Sequence, residues 1–209
     1  MLPRVLCFHG AGSSGAIYRV QGRSIFQQLK DQFTFVFLDA PFPSDPGPGI
    51  RPVFESSGPF YSWHIPDKDN TDHLLRQITD QVQDSKGGPI VGIFAFSQGA
   101  RMATGLLMYL QSNPEVELAR LLDIRFMMLN SGIWPPIMLD EATSSALPGI
   151  ASTHVMGKRD PWRGQSMKLY ALFDVDKANM IHFEGGHQIP VGAADSRRII
   201  DVVRKMFEA

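Results

Sequence analysis

Ser97 stands where an apolar run stops abruptly and a small-residue stretch begins, in Pro89-Ile-Val-Gly-Ile-Phe-Ala-Phe-Ser-Gln-Gly-Ala-Arg101. The text reads as strand, sharp turn and helix, which forces the serine out at the carboxyl end of a sheet with the helix N–H groups aimed at what its oxygen attacks. The motif is G-x-S-x-G with one departure, because Ala95 replaces the first glycine in Ala95-Phe96-Ser97-Gln98-Gly99. A methyl group is the smallest side chain that such a crowded turn can be asked to hold. A serine hydroxyl is a weak nucleophile at neutral pH, so it needs a base to take its proton and a carboxylate to fix the base's tautomer. Asp160, in Gly157-Lys-Arg-Asp-Pro161, and His187, in Glu184-Gly-Gly-His187, each follow an apolar run.

The order Ser97, Asp160, His187 is one that recurs in hydrolases built on a parallel sheet. Competing side chains lose on position. His9 precedes the nucleophile, His64 and His73 fall on a long loop and its helix, and His154 and His182 lie inside strand-like runs. Asp174 and Asp176 sit between a helix and the last strand, and Asp39 reads as a turn cap. A tetrahedral intermediate also needs preplaced donors for its oxyanion. The backbone N–H groups of Gln98, just after the nucleophile, and Ala11, in His9-Gly-Ala-Gly-Ser13, are the candidates. No Gly-Lys-Ser/Thr follows that glycine turn, so a nucleotide loop is a poor reading, and no His/Asp/Glu spacing suits a metal. Neither cofactor nor metal is expected.

The elements that must hold these residues alternate. Strands are expected at Val5–Phe8, Phe33–Leu38, Pro89–Phe96, Ile124–Leu129, Ile150–Met156 and Ala178–Phe183, each a short apolar run bounded by turn residues. Helical periodicity follows Ser14 as one helix through Leu29, then recurs over 70–84, from Ser97 to Asn113, over 164–172 and at the carboxyl end. Alternating strands and helices imply an α/β fold, with a mainly parallel six-stranded sheet, right-handed crossovers and helices on both faces. In such sheets the site forms at the carboxyl ends of the strands, where His9, Ser97, Asp160 and His187 all fall. Residues 39–70 are a long loop rich in proline, glycine and aromatic residues, read as a lid or pocket wall. Phe42, Phe54, Phe60, Tyr61 and Trp63 from it, with Ile133, Trp134, Met138 and Trp162, are the expected pocket lining.

With 209 residues, 44% of them hydrophobic, residues 1–209 suffice for one well-buried domain. A net charge of −1 with scattered signs gives no basic stripe for nucleic acid or a membrane surface. No apolar run approaches the ~20 residues of a membrane span. Cys7, the only cysteine, lies in a strand and reads as core filler, so a soluble, cytoplasmic protein is expected.

Taken together, Leu6-Cys-Phe-His-Gly-Ala-Gly12, Phe37-Leu-Asp-Ala-Pro41, Pro46-Gly-Pro-Gly49, Gly58-Pro-Phe-Tyr-Ser-Trp63, Phe94-Ala-Phe-Ser-Gln-Gly-Ala100, Gly157-Lys-Arg-Asp-Pro161 and Glu184-Gly-Gly-His187 resemble the fungal-type serine hydrolases. That family includes the ovarian-tumour-associated hydrolase and the thioesterases of fungal polyketide clusters. The resemblance covers nearly the whole chain. It implies an α/β-hydrolase fold with Ser97, Asp160 and His187 as triad, and it is strongest toward the branch that includes the lovastatin-pathway thioesterase. From that branch follows the expected activity, release of a polyketide or other acyl chain from an acyl carrier protein, with a polyketide synthase as the implied source. A carboxylesterase on small or medium-chain esters would use identical machinery. A third possibility, an inactive fold serving as a binding module, is disfavoured by the intact triad order.

Overall fold

The apolar runs form one sheet in the computed structural model, which describes residues 1–64, 71–137, 147 and 149–208. Its elements are β1 (Arg4–Phe8), α1 (Gly15–Gln21), α2 (Arg23–Leu29), β2 (Thr34–Leu38), β3 (Phe42–Pro43), β4 (Tyr61–Ser62), α3 (Thr71–Asp84) and β5 (Ile90–Phe96). Then come α4 (Gln98–Ser112), α5 (Glu117–Leu121), β6 (Leu122–Asn130), β7 (Ala151–Gly157), α6 (Arg163–Tyr170), β8 (Ala178–Phe183) and α7 (Ala193–Glu208). Six strands lie in the order β2-β1-β5-β6-β7-β8, and every pairing in that sheet is parallel.

All seven residues of β5 are buried, as expected for a central strand covered on both faces, which explains why it reads as a continuous apolar run rather than an alternation. On its neighbour β1 the side chains alternate. Leu6 and Phe8 join the core beneath α3, α4 and α5, while Val5 and Cys7 join the core beneath α1, α2 and α7. The second core is rich in rings: Phe26 packs edge-on against Tyr18, Phe35 and Phe37.

Three local features depart from the sequence expectation. The single helix expected after Ser14 is two, divided at Gly22, where a Cβ would come within 2.4 Å of the Phe26 ring. Ser14 does cap the first, accepting the Ile17 N–H at 3.3 Å. Within the long loop, β3 and β4 pair antiparallel as a two-stranded ribbon, and Ser13 bridges to Tyr61 at its edge. A further short helix, α5, precedes β6 and sets Leu118 into the core.

Candidate active site

Ser97 occupies the sharp turn between β5 and α4 with φ 53° and ψ −116°. A non-glycine residue there stores strain of order 1–3 kcal/mol, which persists only where the surroundings over-determine it. They do so here. The Ser97 N–H donates to Asn130 O at 3.0 Å, and its carbonyl accepts from Ala100 and Arg101 at the start of α4. Gly99 passes so close to β1 that a Cβ would lie 2.4 Å from Phe8 O and 2.5 Å from His9 O, so this second glycine of the motif is obligatory. Ala95 is fully buried between Phe8 and Leu129, and its methyl group is accommodated.

Two turns at neighbouring strand ends bring up the partners. Lys158 N–H donates to Phe183 O and Arg159 N–H to Gly185 O, tying the turn after β7 to the turn after β8. Asp160 Oδ2 accepts from His187 Nδ1 at 2.9 Å, and Asp160 Oδ1 accepts the Trp162 N–H at 2.8 Å. His187 Nε2 lies 2.8 Å from Ser97 Oγ. The Asp160 side chain is 1% exposed and that of His187 12%, so the pair is shielded from water. An ionised carboxylate only accepts, which assigns the proton to Nδ1 and leaves Nε2 to accept the serine O–H. Phe96 and Trp162 flank the imidazole, with centroids 5.2 and 4.5 Å away.

The loop after β1 is held just as firmly. Buried His9 donates from Nδ1 to Gly10 O at 2.7 Å and accepts the Ala40 N–H on Nε2 at 3.1 Å, a pattern that only the neutral ring satisfies. Burial pushes its pKa down to about 4, opposed by the backbone hydrogen bond and by Asp39. Trp63 donates its indole N–H to His9 O at 2.8 Å. Gln98 Oε1 in turn accepts from Trp63 N–H at 2.9 Å and from Ser62 Oγ at 3.1 Å, so the residue after Ser97 grips the ribbon. Ala11 and Gln98, the expected oxyanion donors, line the same cavity as Ser97 and His187, of about 190 Å³.

The expected pocket lining divides. Ile133 and Trp162 face that cavity, and Phe54 lines a second one of about 460 Å³ that shares Gln21, Pro48, Phe96 and His187 with the first. Trp63 is 0% exposed and belongs to the core with Phe42, because an indole N–H buried near His9 finds its acceptor there. Tyr61 and Trp134 pack against that core, and Phe60 lies over Gly58, and none of the three lines either of these two cavities. Met138 lies outside the described residues.

Arg101, Phe96, Pro48 and Ile50, not expected from the sequence, also line the cavity around Ser97 and His187. For Arg101 the signal was available: it stands four residues after Ser97, one helical turn on. The rejected candidates have other partners. Asp39 Oδ1 accepts the Gly15 N–H at 2.8 Å, and His154 stacks edge-on with Tyr170 and Phe173, its pKa lowered by burial to about 3. Among the described residues no group of three or more His, Cys, Asp or Glu is placed to hold a metal ion, and no helix is long and apolar enough to cross a membrane.

A family model described as serine hydrolase (FSH1) matches residues 1–199. Thioesterase FSL2 of Gibberella zeae is 33% identical, over 100% of this chain and 94% of its own. Probable esterase azaC of Aspergillus niger is 32% identical over 99% of this chain and 86% of its own, and esterase FUS5 of Gibberella moniliformis 35% identical over 98% and 87%. Among solved structures, the Bacillus cereus carboxylesterase superposes with a TM-score of 0.59 at 13% identity, covering 96% of this chain and 89% of its own. The thioesterase domain of the curacin biosynthetic pathway gives 0.52 at 13% identity, covering 99% and 91%. The chain belongs to the FSH1 family of serine hydrolases, and its fold is that of the α/β-hydrolases.

Proposed function

We propose that this serine hydrolase is a thioesterase that releases a polyketide or other acyl chain from an acyl carrier protein as the free acid. The observation that carries the reading is the hydrogen-bonded series Asp160, His187, Ser97 at the meeting point of two cavities, the larger lined by Phe54, Val53, Ile189 and Val191. An apolar acyl chain suits that groove. His187 Nε2 takes the serine proton as Oγ adds to the thioester carbonyl, and Asp160 stabilises the imidazolium that forms. The Ala11 and Gln98 N–H groups receive the oxyanion, each contributing roughly 3 kcal/mol or more to the transition state. His187 then gives its proton to the departing thiol, and water activated by the same ring frees the acid. The polyketide assignment rests on the resemblance of the seven motifs and is supported by the relative named as a thioesterase. A cytoplasmic location suits a chain whose only cysteine is a buried core residue.

The second reading, a carboxylesterase, is favoured by the relatives named as esterases. Hydrolysis of a matched pair, one acyl group presented as thioester and as oxygen ester, separates the two. A thioesterase gives the higher kcat/KM on the thioester beyond the difference in their uncatalysed rates, and a clear oxygen-ester preference overturns the first reading.

A further inference from the structure

Arg101 is a cationic side chain in the cavity around Ser97 that the mechanism leaves unused. It is half-buried, in the first turn of α4, and its Nε donates to Pro135 O at 2.6 Å. Its two terminal nitrogens have no hydrogen bond or ion pair among the described residues. A cation at the start of a helix opposes the helix dipole, and a partly desolvated guanidinium without a counter-ion is costly to keep. Burial indeed lowers its pKa from the usual guanidinium value. Among the described residues, one carbonyl, that of Pro135, offsets this cost.

The geometry points to Arg101 as a specificity-determining site that binds a carboxylate carried by the substrate within a few bonds of the scissile carbonyl. This rests on the serine-hydrolase reading of the same cavity and goes beyond it. At 1.5 Å rise per residue, Arg101 lies about 6 Å along the helix from Ser97, which places the guanidinium a short chain length from the reacting carbon. Nη1 and Nη2 present a planar fork whose spacing matches the two oxygens of a carboxylate. Nε, held by Pro135 O, fixes the plane of that fork. The apolar groove meets the cavity at Gln21, Pro48, Phe96 and His187 and does not include Arg101. The site therefore has one greasy arm and one charged corner.

The test compares three esters: 4-nitrophenyl valerate, mono-4-nitrophenyl glutarate with its carboxylate on the acyl side, and 4-carboxyphenyl valerate with it on the leaving group. In Arg101→Met the kcat/KM ratio of one charged ester to the neutral one falls at least tenfold, mainly through KM, and Arg101→Lys recovers part of it. The arm that responds tells which side of the scissile bond the corner receives. A ratio within about twofold of the native value in both arms, or an equal fall on all three esters, overturns the proposal. An unchanged ratio with a lowered melting temperature would assign Arg101 to the fold instead. Loss of hydrolysis of all three esters in Ser97→Ala answers separately for the nucleophile.

Discussion

Two imidazoles near Ser97 are held in opposite roles. His187 faces a carboxylate and a hydroxyl, while His9 faces a carbonyl and an N–H, and only the second is locked neutral by its partners. Asp160→Asn removes the acceptor that selects the Nδ1–H tautomer, and kcat should fall about 10⁴-fold with little change in melting temperature. Steady-state kinetics on any ester substrate checks this, and a loss under tenfold would contradict the assignment. His9 and His154 make a separate prediction. Their folded pKa values, about 4 and about 3, lie below the 6.5 of a free imidazole, so the unfolded chain takes up protons first. Stability is full above about pH 6.5 and is lost as pH falls toward 4. Replacing His154 with Leu should reduce that loss, between pH 7 and pH 4.5, by about 2 kcal/mol, read from urea unfolding at the two values. An identical loss in both proteins would mean that His154 does not titrate on unfolding. The order Ser97, Asp160, His187 was legible in the chain because each follows a strand. The role of His9 was not, since its partner Ala40 lies beyond two helices and a strand.

Among the elements, the turn between β5 and α4 does the positioning, and its tolerance is set by backbone contact. Gly99→Ala would drive a methyl group into the carbonyls of Phe8 and His9, neither of which is a flexible side-chain end. Overpacking of this kind costs about 1–3 kcal/mol, and the shifted β1 end carries the Gly10 and Ala11 loop with it, so activity should fall along with the denaturant midpoint. Gln98 clasps the β4 end of the ribbon of β3 and β4, through Ser62 and Trp63. Gln98→Ala leaves the Trp63 N–H without its acceptor and should cost about 1–3 kcal/mol, with faster proteolytic cleavage in the 39–64 loop. An unchanged cleavage rate would show that Gln98 is not the clasp. The sheet and five of the seven helices were legible from periodicity and turn residues. The ribbon was not, because two-residue strands carry no period and are specified by distant contacts such as Gln98 to Trp63. For the same reason Trp63, counted among pocket residues from its place in an aromatic loop, proves to be core.

Over the whole molecule, function follows from where the sheet's carboxyl edge meets the groove between α1, the 48–54 segment and the 188–191 turn. A net charge of −1 gives no long-range steering, so recognition has to come from contact. Val20, Val53 and Val191 are 46%, 78% and 70% exposed along that groove, surface that an acyl chain would cover. Burying a methylene contributes about 0.8 kcal/mol, so kcat/KM should rise up to fourfold per added carbon until the groove is filled. Phe54→Asp should flatten that rise for long chains and spare acetyl esters, as a series of 4-nitrophenyl esters would show. A slope unaffected by Phe54→Asp would place the chain elsewhere. The central claim, that Ser97 frees an acyl chain from a carrier protein, is met most directly by intact-mass measurement of an acyl-loaded carrier protein after incubation with native or Ser97→Ala protein. Loss of the acyl mass is expected with the native protein alone. A carrier that keeps its acyl group while a simple aryl ester is still hydrolysed would contradict the thioesterase reading and leave a carboxylesterase.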